Sequence, residues 1–357
     1  MEIVEILKEI VKDSLISDLH LTVNSKPIIR YNGTLQEYEK CDKKMGFSDL
    51  QAIARNLMGE DQWIDFLEDG EIDFSYSVPS VSRFRVNAYQ QRGAIGLALR
   101  VIPPDVPTID DLGLPEILKR LALQNRGLFL CTGPTGSGKT TTLAAMIDEI
   151  NGKRNCHILT LEDPIEYLHS HKKSMVHQRE VGIDTKTFAN GLRAALRQDP
   201  DVVLVGEMRD LETISTALEA AETGHLVLAT LHTNDAFQTV DRIIDVFPSH
   251  QQQQVRIQLA STLNGVISQQ LFPRSDNQGR VAGMEILIGT SAVKNIVREG
   301  KTHQLYSVMQ TGSKYGMITM DNYILKLYET GKITMDTALS KAFNPDYIKK
   351  RVTHLSV

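Results

Sequence analysis

Apolar positions recur at helical spacing at the start of the chain, where Ile3, Ile6, Leu7, Ile10 and Val11 share one face. The segments LHLTV and PIIRY then read as short strands. Asn32-Gly33 reads as a two-residue hairpin turn, because a type I′ turn takes positive φ at both central positions. Ser48 with Gln51 has the spacing of a capping box opening a helix to about Leu57. Strict alternation follows on both sides of Arg92-Gly93 in SRFRVNAYQQRGAIGLALRV. With those two residues at the turn, Phe84, Val86 and Ala88 face the same side as Val101, Leu99 and Leu97. The other side sets Arg85 directly against Arg100. Like charges so placed destabilise a sheet; they form either a solvated pair or a cationic clamp for an anion.

The segment PPDVPTIDDLGLP, residues 103–115, carries four prolines and reads as a linker. Pro115 suits the first turn of a helix containing Ile117, Leu118 and Leu121, with Gly127 as its αL cap. From Leu128 the pattern becomes buried strands alternating with helices. LFLC, CHILTL, VVLV and LVLATL are continuous apolar runs, which predicts a parallel sheet covered on both faces. Beyond about residue 290 the chain reads as helical, with its last apolar pattern near YILKLYE. The glutamine run at 251–254 reads as the solvated face of a helix.

The 357 residues fit two or three domains. A content of 41% apolar and 23% charged residues excludes global disorder. The net charge of −5 argues against a dedicated nucleic-acid binder, whose footprint is basic. Cys41, Cys131 and Cys156 are far apart, so neither a disulfide framework nor a zinc site is expected. The first residues mix acids and bases, unlike a signal peptide, and no apolar run is long enough to span a membrane. The expected compartment is the reducing cytoplasm.

The chemistry lies in Gly133-Pro134-Thr135-Gly136-Ser137-Gly138-Lys139-Thr140, followed by Thr141. A strand precedes this loop and a helix follows it, as a phosphate-binding loop requires. Such a loop turns backbone N–H groups and a helix N-terminus toward phosphate oxygens. Lys139 is expected on the β- and γ-phosphates of a nucleotide and the Thr140 hydroxyl on Mg²⁺. Hydrolysis also needs acids. Glu162-Asp163 and Glu207 close two of the strands, and strand C-termini form the ligand crevice of a parallel sheet. Glu207 is expected to orient water and share in the metal's outer shell, although Gly206 stands where an Asp is usual. Glu162 and Asp163 would support the metal or the water network. His232 and His225 flank LVLAT, with His232 at the crevice end as a γ-phosphate sensor. Arg193 and Arg197 are placed on one helix face, either pairing with Asp199 or Asp201 or touching the nucleotide or a neighbouring subunit.

These segments together resemble the secretion-type motor ATPases and, within them, the ATPases that retract type IV pili. The resemblance is carried by SDLHL at 17–21, RFRVNAYQQRG at 83–93, GPTGSGKTTT at 133–142 and LEDPIEY at 161–167. It extends through ALRQDPDVVLVGEMRD at 195–210, TGHLVLATLHTNDA at 223–236 and YGMITMD at 315–321. It implies an α/β protein with an N-terminal PAS-like α+β domain (1–102), a linker (103–115), a RecA-like P-loop core (116–290) and a helical C-terminal region (291–357). It also implies a ring of six identical subunits, with Arg85 and Arg100 as arginine fingers and Arg193 and Arg197 as the Arg pair upstream of the Walker-B strand. The implied partners are an integral inner-membrane pilus platform protein and a paralogous retraction ATPase, with no nucleic acid and no insertion into the bilayer. The chain would work at the cytoplasmic face of that membrane. One departure is Lys294, which replaces the usual Arg in Ala292-Val-Lys-Asn-Ile-Val-Arg-Glu299, and an ammonium does not reproduce a bidentate guanidinium fork.

Two other family readings are an accessory retraction ATPase and an assembly or type II secretion ATPase. The latter usually carries an extra N-terminal domain and a four-cysteine zinc insertion, for which this chain has neither the length nor the cysteines. Outside the family, a RecA-like DNA-dependent ATPase would need a basic channel.

Overall fold

The computed structural model describes residues 3–13, 15–79, 81–102 and 105–355. The chain divides into two units: Met1–Val106 with Pro164–Leu168, and Pro107–Asp163 with His169–Val357. Pro103 and Pro104, which open the expected linker, lie outside the described residues.

In the first unit, helix α1 (Ile3–Val11) buries Ile3, Ile6, Leu7 and Ile10, the face set by its apolar spacing. Strands β1 (Ile16–Leu21), β2 (Ile28–Tyr31) and β3 (Thr34–Glu37) precede α2 (Phe47–Leu57) and α3 (Glu60–Asp69). Strands β4 (Glu71–Val78), β5 (Ser82–Gln91) and β6 (Ala94–Ile102) complete an antiparallel sheet of order β3-β2-β1-β6-β5-β4. Both hairpin turns have the expected geometry, with positive φ at Asn32 and Gly33 and again at Arg92 and Gly93. Leu19, Leu21, Phe84, Val86, Ala88, Leu97 and Leu99 share a core with Ile6, Leu7, Leu50 and Phe66. The helix cap differs from expectation. Helix α2 starts at Phe47, so Ser48 is already its second residue. Asp49 Oδ2 instead accepts the Gly46 N–H at 2.9 Å.

In the second unit, α4 (Ile117–Ala122) leads to β7 (Gly127–Thr132) and α5 (Lys139–Lys153). Then come β8 (His157–Glu162), β9 (Met175–Glu180), α6 (Phe188–Ala195), β10 (Val202–Val205), α7 (Leu211–Glu222) and β11 (Leu226–Leu231). Helices α8 (Ala236–Asp245) and α9 (Ser249–Thr262) are followed by β12 (Leu263–Pro273) and β13 (Arg280–Ile288). Helices α10 (Ser291–Arg298), α11 (Leu305–Thr311), α12 (Met320–Glu329), α13 (Met335–Lys341) and α14 (Pro345–Leu355) end the chain. The sheet order is β13-β12-β7-β11-β10-β8-β9. Strands β7, β8, β10 and β11 are the four apolar runs, fully buried and parallel.

The sheet is mixed, however, because β13 pairs antiparallel to β12. Strands β9, β12 and β13 escaped the pattern of apolar runs, since β9 is half exposed and β12 buries polar Ser268 and Gln269. Gly127 is not the cap of α4, which ends five residues earlier. It opens β7 at φ 114°, where a Cβ would lie 2.5 Å from the Asn264 side chain. Apolar order also continues past YILKLYE, since Ile333, Ala338 and Ile348 are buried beyond it.

Candidate functional site

The loop between β7 and α5 turns on three glycines with positive φ: Gly133 (139°), Gly136 (77°) and Gly138 (87°). Gly133 leaves no room for a side chain, because a Cβ would lie 2.3 Å from Gln269 O. Pro134, Thr135 and Gly136 form the exposed crown of the loop, while Ser137 is buried. Lys139 is the first residue of α5 and only 9% exposed. Its Nζ donates to Gly133 O at 2.8 Å and Pro134 O at 3.0 Å, which holds the ammonium across the mouth of the loop. Thr140 and Thr141 sit half-buried in the first turn.

The underside of the loop is braced by Gln269, a residue with no motif signature and 1% exposed. Its Nε2 donates to Ser137 O at 2.8 Å, and its Oε1 accepts from Thr142 Oγ1 at 2.7 Å. Ser137 Oγ is buried with no hydrogen-bond partner among the described residues. An orphaned hydroxyl, a glycine cradle and a buried ammonium at a helix N-terminus fit the phosphate groups of a nucleotide.

The strand order β7-β11-β10-β8 sets out the rest of the crevice edge. After the loop at the end of β7 come His232 after β11, Glu207 after β10, and Glu162-Asp163 closing β8. His232 Nε2 lies 3.0 Å from Glu207 Oε1, and Arg209 Nε lies 2.6 Å from the same oxygen. Burial by itself would raise the Glu207 carboxyl, but Arg209 and His232 outweigh it and hold it below the usual carboxylate range. Gly206, in place of the usual Asp, has a steric reason. Its N–H bonds Leu161 O at 2.7 Å, and a Cβ there would approach that same oxygen to 3.0 Å. Glu162 is buried, with Oε1 accepting from Thr160 Oγ1 at 2.7 Å and Gln178 Nε2 at 3.1 Å. Asp163 is exposed and adds to the field that raises the Arg209 guanidinium, whose main cause is the hydrogen bond to Glu207.

Three expected positions have other surroundings. His225 precedes β11 at the end remote from the loop, and its carbonyl accepts the Gly127 N–H at 3.0 Å. Six residues of strand, about 20 Å, therefore separate it from the crevice within its own chain. Its Nδ1 bonds Ala220 O at 2.9 Å. Arg193 pairs with Glu212 and with Asn190 Oδ1, not with Asp199 or Asp201. Asp201 instead accepts the His157 N–H. Arg197 lies past the end of α6, so the two arginines do not share a helix face.

In the first unit, Arg85 stands opposite Arg100 in register, as its alternation requires. The pair is nonetheless neutralised. Arg100 Nε donates to Asp18 Oδ1 at 2.9 Å, and Arg85 lies 3.8 Å from Asp73 and 3.7 Å from Glu166. Acidic neighbours within the unit thus compensate the repulsion that the register alone would impose. Asp18 comes from β1, which pairs with β6 at this position.

The chain matches the type II/IV secretion system protein family over residues 2–342. It is 48% identical over 346 residues to the type IV pilus retraction ATPase PilT of Pseudomonas aeruginosa, covering 97% of this chain and 99% of that protein. A twitching motility protein of Neisseria gonorrhoeae is 47% identical over 320 residues, covering 90% of this chain and 85% of that one. The solved structure of the pilus retraction motor PilT with bound ADP superposes at a TM-score of 0.90 and 48% identity, covering 98% of this chain and 99% of that one.

Proposed function

The chain belongs to the type II/IV secretion system protein family, and from that premise we propose that it is a motor ATPase whose turnover retracts a type IV pilus. The observation that carries the reading is a complete phosphate loop with Glu207 and His232 on the adjoining strand ends, in a chain matched almost end to end by a retraction ATPase.

Gly133 to Thr141 would hold the nucleotide's phosphates, and Lys139 would meet their charge. Among the described residues no trio of His, Cys, Asp or Glu is placed to hold a metal by itself. Mg²⁺ would be held by the Thr140 hydroxyl and the nucleotide, with Glu207 and Asp163 in its outer shell. When bound, the ion neutralises charge developing on the transferred phosphoryl group. Glu207 is ionised at neutral pH and orients water for attack. His232, bonded to it, senses the γ-phosphate, while Glu162 holds the neighbouring strand end.

In this reading the first unit is PAS-like and the second RecA-like. Six copies form a ring, and Arg85 and Arg100 act as arginine fingers toward a neighbour's nucleotide. The partner is an integral inner-membrane platform protein, docked from the cytoplasm. No helix among the described residues is long and apolar enough to cross a membrane.

Deleting the chain from its host and scoring pili and surface movement tests the reading. Excess pili with lost movement is the expected result. Bald cells would make the chain an assembly ATPase, and retained retraction would make it an accessory one.

A further inference from the structure

We propose that Glu285 is a positioning residue of the hydrolytic site: it grips the first main-chain N–H groups of both α8 and α12, and so holds the turn that carries His232 against Glu207. The inference rests on the ATPase reading above.

Glu285 is 3% exposed, and no motif covers it. Its Oε1 accepts the Ala236 N–H at 2.9 Å, and its Oε2 reaches the Met320 N–H at 3.5 Å. Ala236 opens α8 and Met320 opens α12, so both N–H groups are among the orphan donors of a helix start. A carboxylate between two positive helix ends is stabilised by both.

The register shows why this matters to catalysis. Thr132 of β7, Ser268 of β12 and Glu285 of β13 are successive cross-strand partners and face one side of the sheet. Thr132 is the last residue before the phosphate loop. Ser268 Oγ donates to Asn234 O at 2.7 Å. Ser268 and Glu285 thus hold the main chain on either side of Asp235, the N-cap of α8. That segment begins at His232. With β11 fixed at one end and this grip at the other, the turn has little freedom. The His232–Glu207 distance of 3.0 Å depends on it.

The grip is strongest in the ionised form, since protonation turns one oxygen into a hydroxyl that donates and accepts only weakly. The groups facing Glu285 are Asp235 from α8, Asp321 from α12 and Tyr306 from α11, none of them cationic. Burial pushes the Glu285 carboxyl up to about 7, with Asp235 and Asp321 adding to the rise. A raised carboxyl favours the fold at low pH, and that contribution is lost as pH rises through about 7. The ionised, positioning form therefore costs stability at the pH where it is useful.

The test measures phosphate release and ATP affinity for the purified full chain and its Glu285→Gln variant across the neutral range. At alkaline pH the variant should turn over about 10-fold more slowly, with ATP affinity unchanged, because a misplaced group is lost from the transition state and not from binding. The ratio of wild type to variant should shrink toward one as pH falls below about 7. The variant should also melt higher than wild type at alkaline pH and equal to it in acid. A ratio of one throughout, or a ratio that ignores pH, would overturn the proposal. Ser268→Ala loosens the same segment with little change in volume. It should slow turnover while keeping the wild-type pH profile, and unaltered turnover there would also count against the grip. A wild-type chain that releases no phosphate would sink the ATPase reading instead.

Discussion

His232 Nε2 and Arg209 Nε converge on a single oxygen of Glu207, at 3.0 and 2.6 Å. Arg209 belongs to the same segment after β10 as Glu207, and His232 follows the adjacent strand β11, so the acid is held both by its own loop and by the neighbouring strand end.

Glu207→Gln should keep nucleotide affinity and lose turnover by about 10²–10³-fold, the range for removing one preorganised electrostatic group. Equilibrium binding beside steady-state rates checks this. Because the Glu207 carboxyl is lowered in the fold, its share of stability is present above the ordinary carboxylate range and disappears as pH falls. The melting difference between wild type and variant should therefore narrow in acid. Normal turnover by the variant would move the water-orienting role to Glu162 or Asp163.

Gln269→Ala removes both braces of the phosphate loop and leaves Ser137 O and Thr142 Oγ1 in a buried site without them. A cost of about 1–3 kcal/mol per unsatisfied group is expected in stability. Affinity for ATP should weaken with it. Thermal unfolding and nucleotide titration give the two numbers. Unchanged ATP affinity in a destabilised variant would confine Gln269 to folding.

Since Asp18 already neutralises Arg100, Arg100→Ala should not stabilise the subunit. A loss below about 1 kcal/mol is expected, because the arginine is 64% exposed and solvent screens the pair. Asp18→Asn should leave the fold intact and loosen the guanidinium. If Arg100 serves a neighbour's nucleotide, mixing Arg100→Ala with Lys139→Ala subunits should restore part of the lost turnover. Co-assembly without recovery would exclude a role in trans.

Lys294 Nζ donates to Ser261 O at 3.0 Å, within the last turn of α9, where carbonyls lack helical partners. This is a single contact that needs no guanidinium fork. Lys294→Arg should therefore leave turnover and melting temperature nearly unchanged. Lys294→Ala should cost about 0.3–1 kcal/mol through the lost cation at a helix C-terminus. A large gain in turnover from Lys294→Arg would contradict this account.

The local features were legible in the sequence because their causes are local. The positive-φ turns at Asn32-Gly33 and Arg92-Gly93 set two hairpins. Alternation placed Arg85 opposite Arg100, continuous apolar runs marked β7, β8, β10 and β11, and glycine spacing marked the phosphate loop. Strand order, and with it the neighbours of each site residue, came only with tertiary structure. Asp18 reaches Arg100 across 82 positions, and Gln269 reaches Ser137 across 132. Strand β12 hid from the apolar pattern because Ser268 and Gln269, fully buried, bond the turn before α8 and the phosphate loop. Strand direction set His232 at the crevice end already in the sequence, but its partner Glu207 came with the order of β11 beside β10. A sequence fixes what each residue can bond and which way its backbone turns. Which distant group it meets depends on how strands are ordered and directed, and that is decided by burying the whole core at once.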